Sequence, residues 1–231
     1  MKKYLPFILL GLGVIFVVAA VFVVKSRNNS NGTGEEEKIV ELPVELRPYT
    51  QLVPGKDGHR LVLKINNISV PGAVSMDYEL LYQTSDGRPQ GVPGLVDLEG
   101  VNNFERELLL GSESSGVERY DEGVEEGTLT LKFRDDNGKF LGKVSTDFHL
   151  ISGTTTLDSV DGKFTYKLDD KPDDVFFVVM QTFGLPTGYK DGWDGVSYGV
   201  FASVEDKYPG SSSGWDNILK DGSVGVFVAS S

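Results

Sequence analysis

Residues 4–24, YLPFILLGLGVIFVVAAVFVV, form an unbroken apolar run without a single charged side chain. A helix of that length, rising about 1.5 Å per residue, spans roughly 30 Å, the thickness of a bilayer's hydrocarbon core. Lys2 and Lys3 precede the run, and Lys25 and Arg27 follow it. A secretory signal would offer a shorter apolar stretch ending at a small-residue cleavage site. Val18-Ala19-Ala20 resembles such a site, but Val21-Phe22-Val23-Val24 continue the run past it. The expectation is an uncleaved signal anchor over residues 1–27, acting as a transmembrane helix. Residues 1–27 hold four basic and no acidic side chains, whereas the whole chain has 34 acidic against 22 basic. The acidic excess therefore lies wholly beyond the anchor, and the orientation expected is N-terminus cytoplasmic, C-terminal part extracytoplasmic.

That acidic balance excludes nucleic acid as an expected partner, because a phosphate backbone is bound through clustered Lys and Arg. The chain has no cysteine, so there is no disulfide framework, no thiolate metal site and no residue to carry a lipoprotein's lipid. Its 28 glycines among 231 residues exceed average usage and fall in short turn-like clusters.

Residues 28–38 are small, polar and charged, without periodicity, and read as a flexible linker. From Ile39 the pattern changes to period two. Val40, Leu42, Val44 and Leu46 alternate, with Pro43 confining this stretch to a sheet edge; Leu61, Leu63 and Ile65 alternate next, then Met76, Tyr78, Leu80 and Tyr82. Leu129, Leu131 and Phe133 run into Asp136-Asn137-Gly138, and Val144, Thr146, Phe148 and Leu150 return. Asn-Gly between alternating apolar residues is a strong hairpin signal, best met by a two-residue type I′ turn.

Beyond Ser152-Gly153 the pattern begins again with Phe164, Tyr166 and Leu168. The continuous run 175–180, VFFVVM, reads as a strand buried on both faces. Val196, Tyr198, Val200, Ala202 and Val204 alternate, and Val224, Val226 and Val228 close the chain. The fold class expected is all-β: two immunoglobulin-like β-sandwich domains, residues 39–152 and 153–231, after one N-terminal transmembrane helix. A gapped likeness between the halves sets Leu61–Ile65 against Phe164–Leu168. It also sets Tyr78, Leu80 and Tyr82 against Phe176, Val178 and Met180. On that alignment the outward residues Asp77, Glu79 and Leu81 match the apolar Val175, Phe177 and Val179. The second strand then needs a cover that the first lacks, and the loops bearing Trp193 and Trp215 are the candidates.

Candidate chemistry is sparse. Ser145, Asp147 and His149 share a strand face, but neighbours two apart are roughly 6.6–6.8 Å apart at Cα, and Asp rather than His lies between the other two. A hydrolytic triad is excluded. EF-hand spacing fails at each acidic loop; a structural calcium through Asp158 and Asp161 is the one metal candidate, and no other cofactor is expected. Tyr189, Asp191, Trp193, Asp194 and Trp215 lie in Gly/Asp/Ser-rich stretches and suggest a sugar-binding platform, ring faces against pyranose C–H groups and carboxylates on hydroxyls. The contrary reading has both indoles folded back to cap the core of the second domain.

The anchor, the strand from Met76 ending in Gln83-Thr84, and the hairpin at Asn137-Gly138 resemble single-pass, envelope-exposed proteins of small-genome uncultivated bacteria. The resemblance implies a membrane-anchored surface protein; no activity is assigned to that group, so no functional residue carries over. The function expected is an extracytoplasmic, non-catalytic surface module for binding or spacing, with an extracellular protein or glycan as partner. The alternative is a carboxylate-dependent envelope glycosidase or a carbohydrate-binding protein.

Overall fold

Among the described residues, period-two alternation builds sixteen strands, antiparallel wherever they pair: β1 (Tyr49–Pro54), β2 (Arg60–Asn66), β3 (Ser75–Gln83), β4 (Pro89–Asp97), β5 (Phe104–Leu109), β6 (Gly111–Ser114), β7 (Val117–Tyr120), β8 (Glu126–Arg134), β9 (Phe140–Ser152), β10 (Thr156–Asp158), β11 (Thr165–Leu168), β12 (Phe176–Gln181), β13 (Ser197–Ala202), β14 (Gly210–Ser211), β15 (Trp215–Asn217) and β16 (Val226–Ala229). This computed structural model describes residues 40–189, 193–219 and 223–230. The expected anchor and the linker lie outside the described residues. Among the described residues, no helix is long and apolar enough to cross a membrane.

Eight strands form one central sheet in the order β15-β16-β13-β12-β9-β8-β3-β4. Three-stranded sheets flank it, β1-β2-β5 and β10-β11-β14, and β6-β7 make a separate hairpin. Burial along β12 shows how the layers stack. Val178 and Met180 enter a core shared with Leu52, Leu61, Leu63 and Ile65 of the first flanking sheet. Phe177 and Val179, alternating with them, enter a second core with Leu157, Tyr166 and Leu168 of the other flanking sheet. Successive side chains of a strand point to opposite faces, so the two flanking sheets lie on opposite faces of the central one. The continuous apolar run is thereby explained: both sides of β12 are dry.

The division into domains at 152/153 is corrected by the pairing. β9 ends at Ser152, and β12 then adds directly to it, with Phe177 opposite Ile151 and Val179 opposite His149. Strands from both expected domains thus share one sheet, and Ile39–Ser231 form one compact unit. The two cores survive as two sides of that sheet rather than as two domains. β2 and β11 occupy different flanking sheets, while β3 and β12 both lie in the central one.

Local expectations are corrected in two places. The stretch around Pro43 contributes one bridge, Glu41 to Lys143, before a 3₁₀ turn at Val44–Leu46, because a proline cannot donate to a ladder. Two elements form where the sequence shows no apolar alternation: β4 from a Gly/Pro-rich stretch and β6-β7 from an acidic one. The hairpin at Asn137-Gly138 is longer than type I′: only Gly138 takes a positive φ, 76°. Gly138 N–H donates to Asp135 O, and the Asp135 side chain accepts from the N–H groups of Asn137 and Lys139. Three hydrogen bonds to one aspartate satisfy the turn, so Asn137 has no need of the left-handed region.

Candidate functional site

One face of the central sheet is covered over only half its width. Where β12, β13 and β16 run, the sheet β10-β11-β14 lies over it; beyond β9, among the described residues, the same face is bare across β8, β3 and β4. Register fixes what that bare face carries. Leu81 stands between Gly91 and Thr128, Thr128 opposite Asp147, Glu79 between Pro93 and Thr130, and Asp77 between Leu95 and Lys132. The opposite sides of these strands hold Tyr78, Leu80, Leu129, Leu131, Val144 and Phe148, all in the first core. The outward assignment of Asp77, Glu79 and Leu81 holds, as does the need of β12 for a cover. The cover is mainly a three-stranded sheet, for which the two Trp loops were expected to stand.

Where the cover ends, the turn between β10 and β11 forms a wall. Ser159, Val160 and Asp161 rise beside Ser145, Asp147, Gln181 and Tyr198 around a polar slot of about 120 Å³. It adjoins a hollow of about 400 Å³ through the shared Asp147 and Val160, with Leu81, Thr128, Glu126 and Pro89 on the far side. Together they make a groove along the foot of the wall.

Its polar groups are already engaged with one another. Thr128 Oγ1–H donates to Asp147 Oδ1 at 2.7 Å, and Thr130 and Ser145 share a hydroxyl–hydroxyl bond at 2.9 Å. His149 Nδ1 lies 2.8 Å from the Asp158 carbonyl, which can only accept, so that nitrogen carries the proton. No hydrogen bond joins Ser145, Asp147 and His149 to one another; each reaches across to a neighbouring strand, and no nucleophilic relay exists. Asp161 accepts from Ser159 Oγ–H (2.6 Å), Tyr198 Oη–H (2.6 Å) and Lys163 N–H (3.2 Å). Burial by itself would raise the Asp161 carboxyl; the bonds from Ser159, Tyr198 and Lys163 outweigh it and hold it below the ordinary aspartate value. Burial, and then that same carboxylate, push the Tyr198 phenol up.

The calcium candidate fails on this geometry. Asp161 spends both oxygens inside the protein, Asp158 sits on β10 with its carbonyl on His149, and among the described residues no three His, Asp or Glu side chains group as a metal requires. The sugar platform is divided by the sheet. Trp193 packs on the first core, its Nε1–H donating to Val196 O at 2.9 Å. Trp215, on β15, packs on the second core, edge-on to Tyr198 at 4.9 Å and to Phe164 at 5.8 Å. The indoles therefore serve opposite sides of the sheet: Trp215 caps the second core as the core-capping reading expected, whereas Trp193 packs on the first. Asp194 Oδ1 accepts from Val196 N–H, closing its own turn. Tyr189, Trp193 and Asp194 do line one hollow of about 580 Å³, with Asp216 and Ile218; Trp215 is not among its lining residues, and Asp191 lies outside the described residues.

Asp147, Thr128 and Val160 were not singled out as site residues. Alternation places Asp147 on a polar face, but nothing local says that the wall at Val160 stands beside it. The chain matches no protein-family model and no curated protein.

Proposed function

We propose that the chain is a single-pass membrane protein that holds its β domain outside the cytoplasm as a non-catalytic module for binding or spacing. The observation that carries the reading is the apolar run 4–24 between basic flanks, followed by an acidic chain that folds as one unit from Ile39. The half-covered sheet supports a binding role, since it offers a flat, mixed surface beside a groove. Within the same proposal, each flanking sheet and the part of the central sheet beneath it form an immunoglobulin-like sandwich, the two sandwiches sharing a sheet. Antiparallel pairing and the core between the layers support this.

Expressed at full length in a bacterium, the protein should partition with the membrane and resist extraction by high salt. Protease added to spheroplasts should remove nearly everything after Lys25. A soluble secreted product beginning near Val21, or a domain protected from external protease, would overturn the anchored reading. Release of reducing ends from envelope polysaccharide by the purified chain would overturn the non-catalytic one.

A further inference from the structure

We infer that the bare half of the central sheet is the contact surface for a second copy of this chain, the two copies fitting step into step. The cover β10-β11-β14 ends over β9, where Ser145 and Asp147 are exposed, so that part of β9 joins β8, β3 and β4 in a ledge four strands wide and one layer deep. Packed sheets lie about 10 Å apart, so a second sheet laid on the ledge would be level with the cover. Among the described residues, apolar side chains on or beside that ledge stand exposed: Leu95 is 66 % exposed, Leu81 44 %, Val74 44 % and Val160 36 %.

Geometry restricts how two copies could meet. A twofold axis running across the strands would place cover against cover, holding the bare halves apart. An axis parallel to the strands, between β8 and β3, instead places the cover of each copy beyond the β4 edge of the other. β8 then faces β3 of the second copy, and β9 faces β4. On that arrangement Lys132 of one copy stands opposite Asp77 of the other, Thr128 opposite Leu81, Thr130 opposite Glu79, and Arg134 opposite Ser75. On the outer pair Lys143 meets Leu95 and Asp147 meets Gly91. Register within each copy fixes all these positions, and no like charges stand directly opposed. Asp77 and Lys132 pair with Arg134 and Glu79 within their own copy, and across the axis the surface is self-complementary in charge, although the whole chain carries a net charge of −12.

Edge-to-edge assembly is disfavoured by the same structure. Even-numbered residues of β4 donate toward β3, as Leu98 N–H to Val74 O continues to show, so Pro89 and Pro93 occupy positions whose N–H would point outward. The outer edge of β10 is also capped: Thr156 N–H donates to Thr154 Oγ1, and the Asp158 carbonyl accepts from His149. Four strands of about nine residues cover roughly 600 Å² per copy, or about 1,200 Å² for the pair, the lower end of a specific interface. At the two edges that border the ledge, backbone pairing between copies is disfavoured, which leaves its face for contact.

The test uses the full chain in a mild detergent, with mass measured by sedimentation. The wild-type protein should dimerise. Lys132→Asp alone and Asp77→Lys alone should each weaken the dimer by about tenfold or more, since each sets like charges opposite one another twice. An equimolar mixture of the two variants should dimerise again, because both contacts in the mixed pair are then attractive. A folding defect cannot produce that recovery. The chain has no cysteine, so Leu81→Cys supplies a unique thiol near the axis; a bismaleimide spanning about 10 Å, the spacing of packed sheets, should link two copies through it. Val117→Cys on the exposed β7 should not crosslink. A wild-type protein that stays monomeric overturns the inference. So does a dimer that both charge variants leave unchanged, which would place the contact in the apolar anchor, or a mixture that fails to recover.

Discussion

Asp161 ties the cover to the central sheet through one carboxylate. Ser159 and Lys163 hold it from within the turn, and Tyr198 reaches it from β13. The Tyr198 ring is buried and stacked on Phe164 at 5.1 Å, so its hydroxyl has no alternative partner in water. Tyr198→Phe keeps the ring and should cost about 1.5–3 kcal/mol, the range for a hydrogen bond to a charged group, read as a lower midpoint of denaturant unfolding. The acid response has a definite sign. The folded-state pKa of Asp161 is depressed, so its contribution is complete above the unfolded aspartate value of about 3.9 and is lost as pH falls through the lower folded value. Asp161→Asn should flatten the stability profile in that acid window and leave its slope near neutrality unchanged. An unaltered acid limb in the variant would show that the carboxylate is not linked to folding. Gly94 answers to a different constraint: a Cβ there would lie 2.1 Å from the Tyr78 ring, which crosses over it on the inner side of the sheet. Aromatic packing across the pair requires glycine at this position of β4.

At the scale of elements, β4 is an edge protected by its own composition. Nine residues pair with β3 in unbroken register, and the prolines fall where no donor is needed inward. Pro93→Thr would restore an outward N–H on a long, flat edge and should promote concentration-dependent association with a rise in intermolecular β signal. Absence of any such change would mean that the edge is guarded by something else. β5 manages its edge differently, through Glu105, Arg106 and Glu107. Lys64 and Arg60 of β2 pair with Glu105 and Glu107, exposed contacts that contribute little because solvent screens them. β12 depends on burial instead, with Phe177, Val178, Val179 and Met180 all excluded from water.

For the whole molecule, the shared sheet predicts one unfolding transition where two independent domains would give two. Breaking the β9–β12 pairing exposes both cores at once, because Val178 and Met180 belong to one and Phe177 and Val179 to the other. Calorimetry on the full chain should show a single main endotherm; two resolved transitions of comparable size would contradict the single unit. The sequence alone determined the strand-rich class, because alternation is a local consequence of one face being buried. It also placed most of the inward and outward residues correctly, from Met76–Tyr82 to Val144–Leu150, and marked β12 as dry on both sides. Tertiary structure decided which strand lies beside which. That choice joined two expected domains through β9 and β12, sent Trp193 and Trp215 to opposite faces, and set the wall at Val160 beside Asp147. The physical reason is that side-chain period records only whether a face meets water, whereas the strand or layer that excludes the water is supplied by residues far away along the chain.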